Sequence, residues 1–315
     1  MRAVNAEGAR GSMANDARAC STRAAFSICL RAVRHRTAVL LLIITSVLWS
    51  LGGVLLKQVD WHPMAKAGAR SAIAAVVICL WMRRPKFSWS RNQLLGAAAY
   101  VGTVTTFVIA IDLTSAANAV FLQYTAPAYV ALLGAWMLGE RTQPRDWLCI
   151  VLAVAGIGML CRDGIVSHSI PGIAAGLASG FSMALMVIFL RREKDGSPVA
   201  ALLLGNIATA AIGLPFGFAG KMPGAGEWGI LLVLGVLQLG VPYILYGLAI
   251  RHVKAIEGIL LPMLEPVLNP LWVFLFLGEK PGAWTIAGAV LVLGAMCMRG
   301  MLGMRAGRPG QKSPS

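Results

Sequence analysis

Ten long apolar runs constrain the fold of this chain more than any other feature of its sequence. Most are close to the length at which a helix crosses roughly 30 Å of hydrocarbon. A bare backbone finds no hydrogen-bond partners in lipid, so segments of this kind are expected to be α-helices. The predicted spans are 38–56, 64–82, 93–111, 116–138, 147–161, 172–190, 199–218, 228–250, 255–277 and 283–298. We therefore predict an all-α membrane protein with ten transmembrane helices.

The overall composition agrees with a chain that lies in lipid. Apolar residues make up 57% of the 315 residues and charged residues only 13%, and the mean hydropathy is +0.72. A soluble domain usually carries about 25% charged residues. The composition thus favours a multi-pass membrane protein.

Two segments repeat one another at a constant shift of 139 residues. Residues 110–141 read AIDLTSAANAVFLQYTAPAYVALLGAWMLGER, and residues 249–280 read AIRHVKAIEGILLPMLEPVLNPLWVFLFLGEK. The shift superimposes Pro127 on Pro266 and Glu140 on Glu279. We predict two copies of one five-helix unit, at 38–162 and 171–299, a plan common among secondary transporters.

The distribution of Lys and Arg predicts the orientation. Segments on one side of the predicted spans carry 22 of these residues and segments on the other side carry five. By the positive-inside rule, both termini are cytoplasmic, as are a disordered basic tail at 1–37 and a tail at 300–315. The net charge of +15 is then a topology signal and does not indicate nucleic-acid binding. Five spans per unit is an odd number, so the second copy is expected to be inverted relative to the first.

Several short motifs resemble the drug/metabolite transporter superfamily, and specifically its ten-helix EamA branch. They are Leu48-Trp49-Ser50 followed by Lys57, Ala69-Arg70, and the blocks Pro127 to Gly139-Glu140 and Glu265-Pro266 to Gly278-Glu279. The resemblance covers about residues 38–300, although Ser50 departs from the frequent Trp-Gly pattern. It implies a secondary transporter, often an exporter of amino acids or related metabolites.

Two ionisable residues within the spans are the main candidates for substrate binding or coupling, because such residues are costly in lipid and usually face a cavity or a partner. Glu265 lies near the middle of the ninth span, where it could take up a proton when substrate leaves, or only hold the helix by a hydrogen bond. Arg70 could pair with Glu265, bind a carboxylate of the substrate through its guanidinium fork, or extend to the interface.

Prolines and polar or aromatic residues mark the expected cavity and helix breaks. Pro262, Pro266 and Pro270 lie four residues apart, and each removes a backbone donor, so carbonyls such as those of Gly258 and Pro262 lose their helical partners. Pro127 has a milder effect on the fourth span. Either a binding feature or a bend for packing is compatible with this pattern. The predicted cavity wall consists of Trp49, Tyr100, Asn118, Gln123, Tyr124, Asn206, Gln238, Tyr243, Tyr246 and Asn269.

Signals for catalysis are missing from the sequence. All four His lie outside the predicted spans and no HExxH or G-x-x-x-x-G-K-[ST] motif occurs, which disfavours a metalloprotease and an ATP-driven pump. We predict a permease of the inner membrane without metal or cofactor, which moves a small metabolite, with protons as a possible coupling ion. A facilitative channel or a lipid-handling membrane protein is the alternative.

Overall fold

The computed structural model describes residues 34–114, 116–140, 142–162, 169–219, 222–277 and 282–306. Within those ranges the regular structure is helical and no strand occurs. The α-helices are α1 (34–49), α2 (Gly52–Lys57), α3 (Pro63–Met82), α4 (Arg91–Leu113), α5 (Ala116–Gln123), α6 (Ala126–Leu138), α7 (Pro144–Cys161), α8 (Ile170–Arg192), α9 (Pro198–Gly213), α10 (Ala225–Val233), α11 (Val241–Ala249), α12 (Ala255–Leu260), α13 (Glu265–Leu277) and α14 (Ala283–Ala306). The chain is thus an all-α membrane protein.

Six helical stretches of the described part, some of them with an interruption, are long and apolar enough to cross a membrane. They are Pro63–Met82, Arg91–Leu113, Asn118–Leu138, Ile170–Arg192, Pro198–Phe218 and Ala225–Ala249. Helices also extend past the apolar runs, because α1 begins at residue 34 and α14 continues to Ala306. Hydropathy marks the hydrocarbon-facing length of a helix, and polar residues can continue the same helix beyond it.

Capping residues explain where several helices begin. The Ser90 side chain accepts a hydrogen bond from the backbone of Gln93 at the start of α4, and Ser197 does the same for Ala200 at the start of α9. Proline follows Ser197 in the first turn, where its missing N–H is no loss. Serine caps thus separate the long helices from the short loops before them.

Three of the predicted spans contain interruptions. A turn at 50–51 separates α1 from α2, and a turn at 124–125 separates α5 from α6. A 3₁₀ segment, Leu261–Leu264, joins α12 to α13. A fourth irregularity is a π-helical segment, Leu234–Gly240, between α10 and α11. These interruptions lie around one central region, where the candidate site is found.

Close helix packing surrounds that region. Helix α4 packs extensively on α8, α3 packs on α9 and on the π-helical segment, and α7 packs on α14. Helix α8 also packs closely on α5, and a small residue permits this contact. A Cβ atom at Gly180 of α8 would lie 2.9 Å from the carbonyl oxygen of Gln123 and 3.0 Å from that of Leu122.

Candidate functional site

A cavity between the helices brings together side chains from both halves of the chain. It is lined by Trp49, Arg70, Thr103, Val104, Phe107, Gln123, Met183, Gln238, Leu239, Tyr243 and Glu265. The volume of the cavity is about 40 Å³. At roughly 10–15 Å³ per water, this space holds about three waters. A metabolite therefore requires a wider cavity than the one in this conformation.

Arg70 is the cation of the cavity, and it is only 2% exposed. Its Nη1 donates a hydrogen bond of 3.0 Å to Oε1 of Gln238, and its buried Nε has no hydrogen-bond partner. No ion pair joins Arg70 to Glu265 within the described residues. An uncompensated buried cation is costly, so an anionic group that pairs with Arg70 would be favoured.

Trp49 provides a second donor without a partner. Its indole Nε1 is buried and makes no hydrogen bond, although indole N–H groups are usually paired when buried. Its ring packs against Tyr243 and Tyr246 with centroid distances of 5.2 and 5.6 Å. Tyr243 in turn packs edge-on against Tyr100 at 4.9 Å. Aromatic rings thus form one wall and hold the indole in place.

Glu265 is the acid of the cavity and is held by Tyr124. The Tyr124 hydroxyl lies 2.8 Å from Oε2 of Glu265 and 2.9 Å from the carbonyl oxygen of Pro262, and its one proton is shared between these two acceptors. Pro266 lacks the N–H that would bind the Pro262 carbonyl in a regular α-helix, and the Glu265 backbone N–H donates to this carbonyl instead. Tyr124 thus contacts both the acid and the backbone of the helix break beside it.

A second tyrosine binds another carbonyl of this break. The Tyr246 hydroxyl donates a hydrogen bond of 3.0 Å to the carbonyl oxygen of Gly258, whose helical partner would have been the missing N–H of Pro262. Ser46 adds a longer contact of 3.4 Å to the carbonyl oxygen of Leu261. Protein groups therefore bind two of the acceptors that the prolines affect, the Gly258 and Pro262 carbonyls.

The structure divides the residues predicted from the sequence into two groups. Six of them line the cavity: Trp49, Arg70, Gln123, Gln238, Tyr243 and Glu265. Tyr100, Tyr124 and Tyr246 lie behind it, and Tyr100 donates to Asn206 at 2.8 Å. Gln123 donates to Ser179, also at 2.8 Å.

Five lining residues were not predicted: Thr103, Val104, Phe107, Met183 and Leu239. Thr103 and Phe107 lie four residues apart and so share one face of α4. A helical-face pattern that continues from Tyr100 could have identified them.

The predicted helix-breaking prolines occupy different positions. Pro127 lies in the first turn of α6, just after the turn at 124–125. Pro262 lies in the 3₁₀ segment, and Pro266 follows Glu265 in α13. The backbone of Pro270 is part of α13, but its side chain and that of Asn269 lie outside the described side chains, as does the whole of Glu279.

A second polar cluster closes the end of the bundle at which α6 and α8 terminate. Glu140 follows Gly139, which ends α6 in the left-handed conformation with φ +67°. Oε1 of Glu140 accepts a bond of 3.0 Å from Arg191 Nε, and its Oε2 accepts one of 2.9 Å from the Ala255 backbone N–H. Arg191 Nη1 also donates to the Ile250 and Arg251 carbonyl oxygens at 3.2 and 2.8 Å. We call these residues the Glu140 cluster.

Two histidines lie near the Glu140 cluster. His35 of α1 is 3.2 Å from Oε2 of Glu257, which also accepts from the Lys254 backbone at the start of α12. The pKa of His252 is lowered, first by burial and then by the positive charges of Arg251, Arg34 and Arg191. His252 is therefore mainly neutral near pH 7 and adds little charge to this end.

A bundle of apolar membrane helices around a small, buried, polar cavity is the arrangement of a membrane transporter. The comparisons with known proteins support this class directly. The model of the EamA-like transporter family matches the chain twice, over residues 36–162 and 170–300. The chain belongs to the EamA-like transporter family, and it is a transporter rather than an enzyme.

Similar proteins include several named transporters. The chain is 28% identical over 270 residues to the pseudopaline exporter CntI of Pseudomonas aeruginosa, covering 82% of this chain and 94% of that protein. It is 26% identical over 219 residues to the threonine/homoserine exporter RhtA of Salmonella typhimurium, covering 67% and 72%. It is 30% identical over 217 residues to an uncharacterised transporter of Archaeoglobus fulgidus, covering 67% and 75%.

One solved structure has a similar fold. A protein known from a crystal structure superimposes with a TM-score of 0.75 at 20% sequence identity, covering 86% of this chain and 99% of that chain. At this identity the similarity concerns the fold alone.

Proposed function

We propose that this protein exports a small metabolite, an amino acid or a related compound, across the inner membrane by alternating access. Ten spans form two inverted five-helix repeats, 38–162 and 171–299, with both termini in the cytoplasm. Arg70 and Trp49 bind an acidic group of the substrate. Glu265 binds a basic group of the substrate or a proton, and Tyr124 positions it.

One observation carries this proposal: two residues with an unpartnered buried donor and one acid line the same cavity. Arg70 Nε and Trp49 Nε1 have no partners, and Glu265 lines the cavity with them. A buried donor without a partner costs about 1–3 kcal/mol, so a ligand with an acceptor group there recovers free energy. A compound with both a carboxylate and an amine matches this set, and the similarity to a threonine/homoserine exporter agrees with it.

The inverted repeat is supported by the positions of the helix breaks. The turn at 124–125 lies 139 residues before positions 263–264, which belong to the 3₁₀ segment Leu261–Leu264. The hydrogen bond from Tyr124 to Pro262 joins the two breaks directly. The second predicted span of each half also packs on its counterpart, α3 on α9, and so do the fifth spans, α7 on α14. Counterparts that touch are expected near a pseudo-two-fold axis.

Alternating access is supported by the closed state of the end of the bundle at which α6 and α8 terminate, which we call the basic end because Arg34, Arg191 and Arg251 lie there. The Glu140 cluster links α6 of the first half to α8 and α12 of the second half. These links must break before a substrate can pass this end of the bundle. The cavity volume of about 40 Å³ agrees with a contracted state between two open ones.

Transport by purified protein in liposomes tests the proposal, with L-threonine as the first probe and other amino acids and amines as a panel. We expect uptake that saturates with substrate concentration, that is stimulated by substrate on the opposite side of the membrane, and that depends on pH. Glu265→Gln removes the charge at nearly constant shape, so the pH dependence should disappear. Arg70→Lys keeps the charge but loses the guanidinium fork, so KM for substrates with a carboxylate should rise.

The matched control is Lys66→Arg, a charge-conserving change at a residue outside the cavity. It should leave both parameters unchanged. Uptake by Glu265→Gln with the parental rate and pH profile would remove Glu265 from the mechanism. Flux that does not saturate and shows no counter-transport would indicate a channel, and flux of lipid alone would indicate a lipid-handling protein.

A further inference from the structure

Gln238 is the only described side chain that accepts a hydrogen bond from the Arg70 guanidinium. It lies in the π-helical segment Leu234–Gly240, and such wide turns often occur at functional sites. This segment packs tightly on α3, because a Cβ at Gly235 would lie 3.1 Å from the Arg70 carbonyl oxygen and 2.5 Å from Ile73. The close backbone approach brings Gln238 beside Arg70.

The other side of the Gln238 carboxamide rests on Gly52. A Cβ atom at Gly52 would lie 2.6 Å from Nε2, 2.9 Å from Cδ and 3.0 Å from Cγ of Gln238. Real Cβ atoms do not approach other atoms this closely, so the present position of Gln238 requires a glycine at position 52. Gly52 opens α2 directly after the turn that interrupts the first predicted span. This explains a glycine there without any need for a positive φ.

We propose that Gly52 is a positioning residue for Arg70, acting through Gln238. The space left by its missing side chain lets Gln238 accept the hydrogen bond from Nη1 of Arg70, and this bond fixes the guanidinium of a residue that lines the cavity. The inference rests on the proposed role of Arg70 as the substrate anchor, but the packing relation itself can be tested without a substrate.

A substitution at position 52 should displace the Gln238 side chain and leave the backbone in place. In Gly52→Ala, the clashing atoms are the far end of a flexible side chain, so Gln238 can move away while the backbone stays in place. The expected loss is the Arg70–Gln238 hydrogen bond. In a background without a long side chain at 238, the three atoms nearest to an added Cβ at position 52 are absent.

A double-mutant cycle of Gly52→Ala with Gln238→Ala tests this relation on purified protein without substrate, because interacting residues deviate from additivity. We expect Gly52→Ala to lower the apparent Tm in the parent. In the Gln238→Ala background the same change should raise it, since alanine is the better helix former. Gly226→Ala is the matched control, because it also lies in a first helical turn and has no atom within 4 Å of an added Cβ. It should raise Tm equally in both backgrounds. Gln238→Asn, whose carboxamide is one methylene shorter, replaces Gln238→Ala if the latter does not fold.

Transport measurements on the same variants distinguish a failure of this inference from a failure of the proposed function. Gly52→Ala should raise KM for L-threonine several-fold with little change in maximal rate, and it should have no effect in the Gln238→Ala background. A Tm decrease of the same size in both backgrounds would overturn the positioning role. A non-additive Tm cycle together with unchanged transport by Arg70→Lys would retain the packing relation and reject Arg70 as the anchor.

Discussion

Glu140→Ala should open the basic end of the bundle. The Glu140 carboxylate accepts two bonds, from Arg191 and from the Ala255 backbone. Both bonds join α6 to the other half of the chain, so the substitution removes them only from the closed state of this end. It should therefore shift the protein toward the state in which this end is open.

The size of the shift follows from the exposure of the pair. Side-chain exposures of 15% for Arg191 and 23% for Glu140 place the ion pair between a surface contact and a buried one. Exposed pairs contribute about 0.2–1 kcal/mol, and hydrogen bonds to charged groups about 1.5–3 kcal/mol. For the two bonds together we take about 2 kcal/mol, which corresponds to roughly a 30-fold change in the equilibrium between the two states.

Cysteine labelling measures this equilibrium. Val130 is 2% exposed and lines a small space with Glu140 and Ile256, so Val130→Cys in a cysteine-free background reports opening of the basic end. In inside-out vesicles, a membrane-impermeant maleimide should label this cysteine roughly 30-fold faster in the Glu140→Ala variant, because about 2 kcal/mol corresponds to that change in the open population.

Glu227→Ala is the control for this experiment. Glu227 also accepts two backbone N–H bonds, from Asp60 and Gly224, both of 2.7 Å, but it lies at the opposite end of the bundle. It should not accelerate labelling. The reasoning is refuted if Glu140→Ala and the parent react at the same rate while both remain folded.

Three further predictions concern other contacts. Tyr124→Phe removes one of two donors to the Pro262 carbonyl, the other being the Glu265 backbone N–H, and it also removes the bond to the Glu265 carboxylate. It should cost about 1 kcal/mol of stability and alter the pH profile of uptake. Tyr246→Phe, which affects only the Gly258 carbonyl, should lower Tm and leave that profile unchanged. Gly180→Ala places a Cβ against two backbone carbonyls and should destabilise the protein by about 1–3 kcal/mol. Gly229→Ala is the control, because the space around Gly229 is open, and it should not lower Tm. Equal Tm values for the two variants would contradict the close packing at Gly180. The His252 pKa is lowered from its ordinary 6.5, so the unfolded chain binds more protons as the pH falls through that value, and stability is lost on acidification. His252→Gln should therefore lose slightly less Tm than the parent between pH 7.5 and 5.5, and an identical decrease would speak against this effect.

Hydropathy and spacing predicted the helical membrane class and many of the residues around the cavity. Arg70, Trp49 and Glu265 could be predicted because charged and aromatic residues are unusual inside apolar runs. The prolines also indicated which carbonyls would lose their partners, since that loss follows from covalent structure.

The donors that satisfy those carbonyls could not be predicted. Tyr124 and Tyr246 reach Pro262 and Gly258 across helix interfaces, and their contacts depend on how the helices pack. The same holds for the bond between Arg70 and Gln238, which lie 168 residues apart. Periodicity also gave no indication of the π-helical segment, whose sequence LGVLQLG contains nothing that distinguishes a wide helical turn from a normal one.

The Tyr124 hydroxyl has one proton and faces two acceptors, the Glu265 carboxylate and the Pro262 carbonyl. While Glu265 is ionised, every proton in this group of three is on Tyr124, and the two acceptors compete for it. When Glu265 is protonated, it can donate to the Tyr124 oxygen, and Tyr124 can then donate to Pro262 without competition. The charge of one carboxyl group thus decides how firmly the break between α12 and α13 is tied to the break between α5 and α6. Protonation of one carboxyl group can therefore change the strength of a hydrogen bond that joins the backbones of the two halves.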